Sequence, residues 1–172
     1  MHPISRISSA SQPTAALVVW AITTLFPAQA LAKSEIFAGV VMRIHDGDTI
    51  SVSRLSHVEE IHLAGIDCPE LRQSYGARAK RFTERLASGQ TVSVRTQGRD
   101  DKGRMLGVVI LPDGRSLNRE LVAAGLAWKV KESRNKQITQ LEKDARRAKR
   151  GLWADSKPIP PWEHRKAKSA KR

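Results

Sequence analysis

The sequence predicts a mainly β fold with α-helices, a small five-stranded barrel with about three helices. Three observations predict it. The chain has 172 residues, room for one domain with a real core. Five short segments are rich in Val and Ile, and the clearest of them alternate apolar with polar residues. The first three follow one another without crossover helices, which excludes a doubly wound parallel sheet.

The first strand covers 36–44, and Asp46-Gly47 turns it into a second over 49–53, where Ile50 and Val52 alternate with Thr49, Ser51 and Ser53. A third strand is expected over 58–66, with Ile61 and Leu63 on one face and Glu60 and His62 on the other. A helix over 76–88 gathers Ala79, Phe82 and Leu86 on one side and stops at Gly89. Val92 and Val94 mark a fourth strand. The fifth covers 105–111 and is closed by Pro112-Asp113-Gly114. A short helix over 117–124 stops at Gly125. The last, 136–150, buries Ile138, Leu141, Ala145 and Ala148 and turns Lys143, Arg146, Arg147, Lys149 and Arg150 to a solvated face. Five strands so interrupted suit a closed barrel of the OB type. The domain is expected over 33–156. Beyond it, 157–172 reads as a proline strap packed by Trp153 or Trp162, ending in a disordered basic tail.

Residues 1–32 read as a cleaved secretory signal. Arg6 is followed by an apolar run over 15–26, then Pro27 and Ala30-Leu31-Ala32, with cleavage expected after Ala32 in preference to Ala30. The run is shorter than the ~20 residues of a spanning helix, and no cysteine stands there for a lipid anchor. Export to the periplasm or the medium, with no stable membrane insertion, is the expectation. The chain carries a formal charge of +13 with a pI near 10.6, which points to a polyanionic partner without choosing among them. A single cysteine, Cys68, excludes an intramolecular disulfide and is expected to be a buried, inert thiol.

Two acidic segments sit at strand ends: Asp46-Gly47-Asp48-Thr49 and Asp67-Cys68-Pro69-Glu70. If the second and third strands pair, Asp48 and Asp67 approach each other and repel unless a cation lies between them. A hard ion such as calcium takes oxygen ligands of this kind, and the Cys68 carbonyl can supply another. Arg104, after Asp100-Asp101-Lys102-Gly103, offers a planar fork that matches phosphate. Carboxylates, a cation and an arginine together describe phosphoryl transfer.

These segments resemble the staphylococcal-nuclease-like, or thermonuclease, family from about Ile36 to Trp153. The matching stretches are Asp46–Thr49, Gly65–Glu70, Tyr75-Gly76, Asp100 with Gly103-Arg104, Leu121-Val122, Gly125-Leu126-Ala127 and Gly151-Leu152-Trp153. The resemblance implies an OB barrel and a monomeric, calcium-dependent nuclease that cuts single-stranded or flexible DNA and RNA to 3′-phosphates. It implies Asp48, Asp67 and the Cys68 carbonyl as Ca2+ ligands, Glu70 as the group that orients or deprotonates the attacking water, and Arg104 as the phosphate clamp. The alternative is a weak or inactive nucleic-acid-binding barrel.

Three positions depart from the family pattern. His62 stands where the family has a second catalytic arginine, five residues before Asp67. An imidazole with an ordinary pKa near 6.5 is mostly neutral at pH 7, so His62 reads either as a tolerated surface replacement in a weakened enzyme or as a group whose protonation beside a phosphate makes activity rise on mild acidification. The stretch Trp128-Lys129-Val130-Lys131-Glu132-Ser133 lacks the family's base-stacking tyrosines, leaving Trp128 either in the core or against substrate. Asp101-Lys102 replaces a basic-aromatic pair.

Overall fold

The computed structural model describes residues 34–170; the expected leader, 1–32, lies outside them. Strand β1 (Ile36–Ile44) pairs antiparallel with β2 (Thr49–Arg54), and β2 with β3 (His57–Leu63). After the two-residue β4 (Ile66–Asp67) comes helix α1 (Gly76–Ala87), then β5 (Thr91–Arg99) and β6 (Met105–Ile110). The barrel closes in the order β1-β2-β3-β6-β5, with β6 parallel to β3 and β5 antiparallel to β1. That is the OB-like arrangement expected. Its interior is filled by the inward set of the alternating strands, Val41, Ile50, Val52, Ile61, Leu63, Val92, Val94 and Val109, all but excluded from solvent. Burying each such side chain contributes roughly 1.5–3 kcal/mol.

The third strand is shorter than the 58–66 expected. It stops at Leu63 because the chain turns at Gly65, whose φ of 79° lies in the left-handed region. Ala64 N–H donates to Gly107 O at 2.8 Å, and β4 leaves the barrel to pair with β7 (Trp128–Lys129), setting Asp67 opposite Trp128. Asn118 of α2 (Leu117–Ala123) fixes this corner. It accepts from Val109 N–H at 3.0 Å and donates to Ala64 O at 3.0 Å, while 1 % exposed.

Among the described residues there are four α-helices, where about three were expected. Helix α3 (Lys136–Arg147) ends before 150 because Lys149 adopts φ 50°, and Asn135 caps its start through Gln137 and Ile138 N–H. A 3-10 turn (Gly151–Ala154) follows, and then α4 (Pro161–Ser169), which runs into the final six to eight residues, where disorder was expected. Pro161 at the first helical position needs no N–H partner, and Glu163 complements the N-terminal dipole. Trp128 meets Trp153 at 4.4 Å and Trp162 at 5.7 Å, both edge-on. Trp128 is therefore core. Nor is the basic face of α3 wholly solvated, since the Arg146 guanidinium lies 3.8 Å over the Trp153 ring.

Candidate active site

A cleft of about 690 Å³ opens beside the barrel, lined by Asp48, His62, Asp67, Glu70, Arg104 and Arg165 among others. The β1–β2 turn builds one wall. Asp46 Oδ1 accepts from the N–H of Asp48 (3.1 Å) and of Thr49 (2.8 Å), curling the chain so that Asp48 points inward. Gly47 is required there: a Cβ would lie 2.8 Å from Ala79 Cβ and Cys68 Sγ. Thr83 of α1 donates to Gly47 O at 2.6 Å and pins the turn.

Asp48 is 4 % exposed and Asp67 7 %. The structure brings them together through the backbone, since Cys68 N–H donates to Asp48 Oδ2. Burial, then Asp46 and Asp67, push the Asp48 carboxyl well above the ordinary carboxylate range. The folded protein thus binds this proton more tightly than the unfolded chain, so this group's contribution to stability falls as pH rises above the usual Asp range near 3.8. Asp48→Asn should accordingly stabilise the cation-free protein by about 1 kcal/mol at pH 8 and by less at pH 4. Urea unfolding in chelator checks this; equal gains at both pH values would contradict it. The same surroundings, burial first, raise the Cys68 thiol, which is the inert group expected.

Glu70 follows Pro69 at the other wall, its N–H donating to Gln73 Oε1 at 3.2 Å. Gly76 opens α1 against this loop, where a Cβ would sit 1.8 Å from Glu70 O. Arg104 reaches in from the start of β6. Its Nε and Nη2 both lie 2.8 Å from Asp100 Oδ2, and Nη1 donates to Thr49 Oγ1 at 3.2 Å. Partial burial raises the Asp100 carboxyl, but hydrogen bonds from Arg104 outweigh it and hold Asp100 low. Strand pairing places His62 opposite Thr49 and beside Leu106. Its Nδ1 is 3.5 Å from Asp48 Oδ1 and 3.4 Å from Thr49 Oγ1. Burial, then Arg104, lower its pKa below 6.5, so the ordinary imidazole assumed from sequence is corrected. The neutral ring is favoured and mild acidification has less to recruit.

Sequence reasoning missed Arg165. From α4 its Nη2 lies 2.7 Å from Asp67 Oδ2, and its Nη1 3.2 Å from Asp67 Oδ1 and 2.8 Å from Glu70 Oε1. The readable signal was the Pro160-Pro161 helix start, with Glu163 in the first turn and Lys166 and Lys168 in the last. Among the described residues no three His, Cys, Asp or Glu side chains converge as a ready-made metal cluster. The acids instead meet the guanidinium.

A family model described as staphylococcal nuclease homologue matches residues 60–155. The chain belongs to the staphylococcal nuclease family. A relative from Escherichia coli O157:H7, described as an uncharacterized endonuclease, is 43 % identical over 131 residues, covering 74 % of this chain and 86 % of its own. A micrococcal nuclease from Shigella flexneri is 37 % identical over 142 residues, 76 % of this chain and 82 % of its own. An uncharacterized endonuclease from Haemophilus influenzae is 33 % identical over 128 residues, 73 % and 71 %. Membership, with relatives described as endonuclease and micrococcal nuclease, supports a phosphodiester-hydrolysing nuclease.

Proposed function

We propose that this nuclease is exported and calcium-dependent, and hydrolyses single-stranded or flexible DNA and RNA to 3′-phosphate products. The observation that supports it is the acid pair itself. Asp48 and Asp67 are buried beside each other, and a guanidinium already stands against Asp67 as a cation. Hard oxygen donors with surplus negative charge fit Ca2+, and Asp48, Asp67 and the Cys68 carbonyl would hold it, with water completing the shell. When bound, the ion supplies Lewis-acid stabilisation of the charge developing on phosphate.

The chain's own residues do the rest. Glu70 orients the attacking water and takes its proton at a carboxylate oxygen. Arg104 exchanges Asp100 for the phosphate's free oxygens, because both present the paired acceptors its fork matches. His62 meets Thr49 Oγ1 through Nδ1, stands beside Asp48 and adds no second positive charge. Breaking the bond to the 5′ oxygen leaves phosphate on the 3′ side. Export rests on the signal pattern of residues 1–32. No helix among the described residues is long and apolar enough to cross a membrane. A monomer is the working state.

The test is cleavage of a labelled single-stranded DNA and RNA by the purified protein in calcium, and again with a calcium-selective chelator. Calcium-only cleavage, with fragments that accept a 3′ label only after phosphatase treatment, is expected. Undiminished cleavage in chelator, or products with free 3′-hydroxyls, would overturn this reading.

A further inference from the structure

Five acids of the cleft have partners, and the partners differ in origin. Asp46 is satisfied by its own turn, Asp48 by the Cys68 N–H and Asp100 by Arg104 of the barrel. Asp67 and Glu70 are bridged by a cation from outside the barrel, Arg165 of α4. Both guanidinium prongs engage both Asp67 oxygens, the side-by-side geometry of a strong carboxylate pair. One of those prongs also reaches Glu70.

Helix α4 does not depend on that pair for its seat. Pro160 and Pro161 are buried, Trp162 packs edge-on against Trp128 at 5.7 Å, and Ile159 O accepts from Gln73 Nε2 at 2.6 Å. The Arg165 side chain is 44 % exposed, so the guanidinium can swing to solvent while the first turn of α4 stays docked. A divalent ion coordinates carboxylate oxygen at roughly 2.3–2.6 Å, the space that the guanidinium nitrogens now approach. Two cations cannot share Asp67 at such distances without strong repulsion.

We propose that Arg165 is the resting counter-ion of Asp67 and Glu70, and that a divalent cation loads only by exchanging with its guanidinium. This rests on the reading that Asp48 and Asp67 hold the cation. Before loading, the arginine holds both carboxylates in place and aimed into the cleft. On loading it leaves Asp67, so metal affinity is set partly by a residue of the C-terminal helix.

The experiment is calcium binding without nucleic acid, by calorimetry at low ionic strength, for wild type, Arg165→Gln and Arg165→Lys. Arg147→Gln, on exposed α3, controls for net charge. Arg165→Gln should bind calcium about five- to tenfold more tightly, since a half-exposed charge-assisted pair no longer competes. Arg165→Lys should fall between it and wild type, and Arg147→Gln should match wild type. A second measurement on wild type is independent of any variant's folding: the Arg165 Nε–H resonance should shift on calcium addition while tryptophan fluorescence stays constant. Equal or weaker affinity in Arg165→Gln with α4 still docked, or an unmoved resonance, overturns the exchange. Absence of calcium binding by wild type and variants alike overturns the metal reading, and the exchange with it.

Discussion

Glu70→Gln should lower kcat by about three orders of magnitude with little change in thermal stability. A positioned general base contributes roughly 10²–10⁴ in rate, and the amide keeps the shape but cannot take the proton. Glu70 is not buried, its side chain being 41 % exposed. Its backbone N–H bond to Gln73 and the seat of α4 do not require the carboxylate charge. Stability is therefore expected within about 0.5 kcal/mol of wild type, as for most surface substitutions. Single-turnover cleavage of a short oligonucleotide in saturating calcium measures the effect. A kcat within threefold of wild type would remove Glu70 from the reaction.

Arg104→Gln should cost about 10²–10³ in kcat/KM, the usual loss for one preorganised donor at a developing oxyanion. The turn that presents it survives the substitution, because its bonds are made by the backbone. Arg104 N–H and Lys102 N–H both donate to Asp100 Oδ1, and Asp100 N–H donates to Arg104 O. Arg104→Lys keeps the charge and loses the fork, and should recover less than tenfold. The division between constants carries the mechanism. A loss in kcat places the guanidinium on the transition state, whereas a rise in KM alone would confine it to ground-state binding.

His62 makes these two residues more consequential. With burial and Arg104 both disfavouring its protonated form, the barrel brings one guanidinium, Arg104, into the cleft, where the resemblance implied two. The second guanidinium in the cleft comes from α4 and, in the resting protein, faces acids instead.

Much of the barrel was legible because its signal is local. Ile50, Val52, Ile61 and Leu63 announce the inward face by period two, and Gly89 and Gly125, both with positive φ, end the helices they follow. The errors fell where distant partners decide. The third strand breaks at Gly65 because Gly107 takes the Ala64 N–H and β7 recruits Ile66 and Asp67. The tail is helical because a Trp128 face waits for Trp162, which no reading of a basic, proline-preceded segment supplies.

The sequence by itself determined the mainly β architecture, the family, and the residues that would gather at one cleft: Asp48, His62, Asp67, Cys68, Glu70 and Arg104. Those follow from side-chain periodicity and from short motifs whose spacing survives in one dimension. Only the tertiary structure decided the protonation of Asp48 and His62 and the partners of the others. Burial sets the Asp48 carboxyl and the His62 imidazole, and it depends on everything packed around them. The Arg165 pairing joins residues 98 and 95 positions apart, a separation at which chain order says nothing about contact.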